Sequence, residues 1–185
     1  MSLDTHDRQF RQMFDANFDA IQAYCLRRLS PDEAADAISE IFLVSWRRMD
    51  SVPAGTADRL WLFGVARNVV RNANRSERRR TRIVARVGGL APIMPPDPQS
   101  QIVTAIEHGE IMAAFRQLGS ADQEILQLRL WEELSVAEVA TVLDCSEKAA
   151  SKRYQRAITR LELSAARSSR TSRIGPLAAN EGGEK

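Results

Sequence analysis

Lys148, Ser151, Lys152, Gln155 and Arg156 recur at helical spacing and line one face of a helix, while Ala150, Tyr154, Ala157, Ile158 and Leu161 line another. The apolar face can pack. The other offers ammonium, guanidinium, amide and hydroxyl donors, which suit guanine acceptors and phosphate oxygens. Between residues 67 and 86 stand eight arginines and one acid, Glu77, a local balance of +7. Arg67, Arg71, Arg75 and Arg79 are four residues apart and form one row, which repels itself unless anions lie alongside. The plainer alternatives are a helical hairpin with a solvated basic face and a basic helix end tolerated by the helix dipole.

Groups that could converge for catalysis are missing. No G-x-G-x-x-G, G-x-x-x-x-G-K-[ST], H-E-x-x-H or G-x-S-x-G is present. His6 and His108 are far apart, and Cys25 and Cys145 lack the spacing of a zinc site or redox pair, so buried or half-buried thiols are expected. Acidic pairs such as Asp32-Glu33 and Glu132-Glu133 fall at helix boundaries, where capping accounts for them. The expectation is no enzyme, no cofactor and no metal.

The elements that must position these residues read as helices. Ser135 and Glu138 form a capping box, after which Val136, Val139, Ala140 and Leu143 make a short apolar stripe. Asp144 and Cys145 break the period, and Ser146 can cap the helix that carries the basic face. A short helix, a tight break and a donor-bearing second helix constitute a helix-turn-helix. At the other end, Phe10, Phe14, Phe18 or Ile21, Cys25 and Leu29 mark a first amphipathic helix over about residues 4–29. Ser30-Pro31-Asp32-Glu33 starts a second, running to about Met49 with Ala34, Ile38, Ile41, Phe42 and Ser45 inward. Residues 50–58 hold proline, glycine and small polar side chains and read as a loop with Thr56 as the next cap. A third helix, about 57–80, opens on Leu60, Trp61, Leu62 and Phe63 and ends in the arginines.

Residues 87–100, with glycines and four prolines, read as a linker. Helical pattern resumes over 101–119 through Ile102, Ile106, Ile111, Phe115 and Leu118, with Gly119 at its end. A further helix over 120–132 has Ser120 and Gln123 as a capping box and Ile125, Leu126, Leu128 and Leu130 as apolar surface. The last stretch lacks periodicity and reads as a disordered tail. The fold class is therefore all-α: two small helical domains, 1–86 and 101–166, joined by the 87–100 linker and followed by the 167–185 tail.

Across 185 residues the net charge is only +2, so the distribution of charge points to nucleic acid and its total does not. Hydrophobic residues make up 44%, enough for two small cores. No apolar N-terminal run and no stretch of about 18 apolar residues is present, so a cytoplasmic protein without membrane insertion is expected.

Three runs now resemble a known family. DAISEIFLVSWRR (36–48), RLWLFGVARNVVRN (59–72), and LSVAEVATVLDCS (134–146) followed by SKRYQRAITRL (151–161) are similar to regions two and four of bacterial RNA polymerase sigma factors of the extracytoplasmic function (ECF) group. The likeness covers roughly residues 10–80 and 110–162. It implies that Asp36, Glu40, Leu43 and Arg47 dock on the β′ clamp helices of core polymerase. It also implies that Asn68, Arg71, Asn72 and Arg75 meet the −10 promoter element, and that the 51–58 loop receives an extruded non-template base. Region four would read the −35 element through Ser151, Lys152, Gln155 and Arg156, with Lys148 and Arg153 on phosphates, and would face the β flap. The linker would thread the polymerase channel. An anti-sigma factor that hides these surfaces is a further implied partner.

With few exposed aromatics to stack on, the resemblance implies modest melting power and strict promoter choice. Ser39 stands where the family usually has glutamine, Ala149-Ala150-Ser151 replaces a Thr-Val-Lys run, and Gly119-Ser120 replaces a proline; the −35 sequence is therefore open. Two other readings remain: a free-standing helix-turn-helix regulator that binds a palindrome without polymerase, and an adaptor that binds a protein through its helices and RNA through its arginines.

Overall fold

The computed structural model describes residues 3–53, 55, 57–88 and 105–173, and every regular element among them is helical. Two compact units emerge. One holds α1 (Leu3–Leu26), α2 (Pro31–Arg47) and α3 (Ala57–Gly88), together with Ala140–Cys145. The other holds α4 (Ala105–Arg116), α5 (Ser120–Leu130), the start of α6 (Val136–Leu143) as far as Val139, and α7 (Glu147–Arg173).

In the first unit α1, α2 and α3 all pack on one another. The deepest residues of α1 are Met13, Ile21, Tyr24 and Cys25, and Tyr24 meets Phe63 of α3 at 5.5 Å between rings. Phe10, Phe14 and Phe18, expected inside, are half-buried. They form an aromatic edge with α2, Phe14 to Phe42 at 4.5 Å and Phe10 to Trp46 at 5.1 Å. Two inward polar groups are satisfied within their own helices, the Asn17 amide donating to the Met13 carbonyl at 2.9 Å and the Ser45 hydroxyl to the Ile41 carbonyl at 2.8 Å. The start of α2 is as its sequence dictates: the Glu33 carboxylate accepts from the Ser30 N–H at 3.2 Å and from its hydroxyl at 2.6 Å. Inward lie Ala34, Ala37, Ile41, Phe42 and Ser45, with Ile38 only half-buried. A 3-10 turn, Met49–Ser51, opens the loop before α3.

In the second unit α7 packs against both α4 and α5, with Ala114, Phe115, Ile125, Leu126, Leu128, Ala150 and Ala157 buried. Gln123 does not cap α5 with Ser120. Gly119 is the cap residue of α5, and the Gln123 amide instead donates into the carbonyls of Phe115, Arg116 and Leu118 at 3.0, 3.2 and 3.1 Å. The unpaired carbonyls ending α4 compete for that amide and win it. Ile111 and Leu130, expected to be apolar contacts, are 48% and 52% exposed.

Two expected boundaries move. α3 remains helical through Gly88 and α7 through Arg173, so residues 87–88 of the expected linker and 167–173 of the expected tail are helix. Neither stretch contains a proline that would stop a helix, and 167–173 carries three arginines, which are good helix formers. Residues 89–100 and 174–185 lie outside the described residues. So does Thr56, the expected cap of α3.

Candidate nucleic-acid and polymerase interface

The helix-turn-helix is built by its caps. At the start of α6 the Ser135 N–H donates to the Glu138 carboxylate at 2.7 Å, and the Glu138 N–H donates to the Ser135 hydroxyl at 3.2 Å. Val139, Ala140 and Val142 are buried. α6 stops because Asp144 takes φ 51°, with its N–H on the Thr141 carbonyl at 3.2 Å and the Cys145 N–H on the Ala140 carbonyl at 3.0 Å. This pair of bonds is the Schellman reversal. Ser146 then caps α7, its hydroxyl accepting from the Ala149 N–H at 3.3 Å.

α7 is held in its own unit by three polar ties. Arg160 pairs with Asp122 of α5 at 2.6 Å, Ser164 donates to the Gln117 side chain at 3.2 Å, and the Arg129 guanidinium lies 5.2 Å from the Tyr154 ring. Arg129 also donates to the Leu134 carbonyl, so one α5 side chain holds both the approach to α6 and the body of α7. The sequence singles out neither Arg129 nor Arg160, each an arginine directly beside an apolar residue of its helix.

With α7 so fixed, Lys148, Lys152, Arg153, Gln155 and Arg156 are exposed and Ser151 is half-buried, while Ala150 and Ala157 face inward. The expected donor face therefore exists as one surface. In the first unit Leu62, Phe63, Ala66, Val69 and Val70 of α3 are buried, and Asn68, Arg71, Asn72 and Arg75 are all exposed. Beyond Val70, the described side chains of α3 contribute nothing to the core; Arg79 is exposed and Ala73 half-buried. On α2, Asp36, Glu40, Leu43 and Arg47 are exposed, Leu43 at 47%. Ser39 beside them donates its hydroxyl to the Ala35 carbonyl at 3.0 Å.

Two features had no sequence signal strong enough to find them. Trp46 adds 36% exposed surface near Leu43 and is backed edge-on by His6 at 4.4 Å. A cleft of about 490 Å³ opens between α1 and the loop before α3, walled by Gln9, Gln12 and Met13 on one side and by Met49, Asp50, Val52, Pro53, Gly55 and Asp58 on the other. Gly55 has φ 72°, a turn geometry that favours glycine. Cys25 is buried and Cys145 half-buried, as expected, and neither forms a disulfide. Among the described residues no helix is long and apolar enough to cross a membrane, and no three His, Cys, Asp or Glu side chains cluster as metal ligands.

A helix-turn-helix with an outward donor face defines a DNA-reading class, and residues 108–161 match the family described as sigma-70, region 4. The chain is 29% identical over 154 residues to the ECF RNA polymerase sigma factor BldN of Streptomyces coelicolor, covering 82% of this chain and 58% of BldN. It is 27% identical over 157 residues to SigL of Mycobacterium tuberculosis, covering 83% of this chain and 86% of SigL. Among solved structures, the sigma factor RpoE of Bartonella quintana, in complex with the anti-sigma factor NepR, shares the fold at TM-score 0.64 and 22% identity, over 84% of this chain and 95% of that one. Over more than four fifths of its length the chain is thus similar to ECF RNA polymerase sigma factors.

Proposed function

We propose that this chain binds core RNA polymerase and directs it to promoters carrying a −10 and a −35 element, as an initiation factor with no chemistry of its own. The observation that carries this reading is the pair of outward polar faces, one on each unit: Asn68, Arg71, Asn72 and Arg75 on α3, and Lys148, Ser151, Lys152, Arg153, Gln155 and Arg156 on α7. The α3 set meets the −10 element and the α7 set the −35 duplex. Asp36, Glu40, Leu43 and Arg47 dock on the polymerase β′ clamp helices, where a half-exposed leucine amid charges fits a partner better than water. The working division is 1–86 for polymerase and −10 contact, 87–100 as tether, and 101–166 for −35 contact and the β flap.

No residue exposed on α3 between 68 and 76 is aromatic, which supports weak melting and strict promoter choice. The complex of the structural relative RpoE with NepR supports an anti-sigma factor as a regulator here, acting in the cytoplasm by covering these faces.

The test mixes the full chain with sigma-free core polymerase. A stable complex that Leu43→Glu weakens at least about tenfold, by burying a charge in the contact, supports the reading. A specific shift of palindromic DNA by the chain alone, with no polymerase complex, would instead identify a free-standing regulator.

A further inference from the structure

α3 is longer than its packing requires. Its buried residues, Leu62, Phe63, Ala66, Val69 and Val70, all lie in its first half, yet the helix runs on to Gly88. The arginines crowd the outer half. At ~100° per residue, positions 71, 75, 78, 79, 82 and 86, all arginine, fall within an arc of about 100°. Asn68 and Asn72 border this arc, while Glu77 and Arg80 fall on the opposite side of the helix, the side that carries Leu62, Ala66 and Val69 in earlier turns. Arg71, Arg75 and Arg79 are exposed. One stripe therefore begins within the set assigned to the −10 element and continues past it. From Arg75 to Arg86 the added length is about 16 Å, the axial rise of about five base pairs of duplex. Like charges at this spacing repel one another, so the stripe is best matched by a regular row of anions.

We propose that the outer half of α3, through Arg78, Arg79, Arg82 and Arg86, grips the phosphate backbone of the DNA duplex directly upstream of the −10 element. The inference rests on the promoter-binding reading and extends it to DNA that neither element includes. Polarity follows from chain order. After Gly88 the chain leads into the second unit, which in that reading takes the −35 element, upstream of the −10, so the DNA next to the outer end of α3 is the duplex between the elements. Beyond Arg75 the stripe consists of arginine alone, whose permanent charge and forked donors suit phosphate oxygens, whereas asparagine, which reads adenine edges, occurs no later in α3 than Asn74. The contact thus adds affinity and register without reading sequence.

The experiment uses the full chain bound to core polymerase and promoter fragments enriched by that complex from a random pool, with neutral methylphosphonates replacing backbone phosphates one at a time. Replacements just upstream of the −10 element should each weaken binding severalfold, and the same positions, counted from the −10 element, should remain sensitive when the spacing to the −35 element is lengthened. The triple variant Arg78→Ala, Arg82→Ala, Arg86→Ala keeps good helix formers along α3. It should lower affinity on the order of tenfold and the salt slope by about two to three, erase the methylphosphonate effect, and leave base preferences within both elements as they were. Arg78→Lys, Arg82→Lys, Arg86→Lys should restore most of the slope, because the contact is charge to charge. An alanine variant with unaltered affinity and slope, a lysine variant no better than the alanine one, or a loss that is equally large on fragments whose spacer backbone is already neutral would overturn the inference and leave the promoter-binding reading standing. Normal DNA binding with a defect that appears only once transcripts emerge would also overturn it, in favour of RNA on the stripe. Failure of the unaltered chain to form any complex with core and promoter would overturn both, and is seen before any variant is compared.

Discussion

Arg156 and Arg79 are both exposed arginines, yet the proposed function gives them different work. Arg156 sits in the donor face of a capped and buttressed helix, where the proposed function gives it a bidentate base contact that contributes discrimination. Arg79 belongs to a row on the outer half of α3, where charge alone acts. Arg156→Ala should weaken −35-dependent binding by ~1–3 kcal/mol and alter preference at one position, whereas Arg79→Ala should lower affinity uniformly and reduce the salt slope by about one. Titrations of promoter variants at several salt concentrations separate the two; equal effects on all variants by both changes would contradict the assignment. A stability prediction belongs to the same scale. Glu133 is exposed and holds φ 57°, a left-handed conformation that disfavours a side chain. Glu133→Gly should raise thermal stability by about 0.5–1 kcal/mol, read from the melting midpoint, and a fall in that midpoint would show that Glu133 is held by more than its backbone.

At the scale of elements, the caps decide where the reading helix begins. Ser135→Ala removes the acceptor for the Glu138 N–H and should destabilise the second unit by about 1 kcal/mol in urea unfolding. Phe63→Ala, in the fully buried contact with Tyr24, should cost ~3–5 kcal/mol and act on the first unit. The contrast also shows what was legible in the sequence. The boxes at Ser30 and Ser135, the break at Asp144 and the faces of α3 and α7 are local patterns, and each stands in the structure as its spacing implied, while on α2 Ala37 takes the inward place expected of Ile38. The Phe10, Phe14 and Phe18 stripe misled because periodicity reports a helix face without saying which face lies deepest; Met13 and Tyr24 on the flank took the core. Gln123 misled because a capping box and a reach back to the preceding helix share one signature, and only the fold decides between them. The cleft was invisible, since Gln9 and Gln12 are ordinary surface residues until a loop from elsewhere in the chain faces them.

At the scale of the whole molecule, two small units carry two faces, and neither face alone offers many base contacts. Joining both to polymerase turns the second contact into an intramolecular event with a raised effective concentration. Either unit by itself should therefore bind promoter fragments far more weakly than the polymerase-bound full chain does, which gel shifts with and without core would measure. The measurement closest to the central claim is promoter-specific transcription in a purified mixture of this chain and sigma-free core polymerase, on templates carrying both elements, either one, or neither. The account predicts discrete transcripts from the two-element template and a steep loss when either element is scrambled. Transcripts that are absent from every template, or indifferent to both elements, would contradict it.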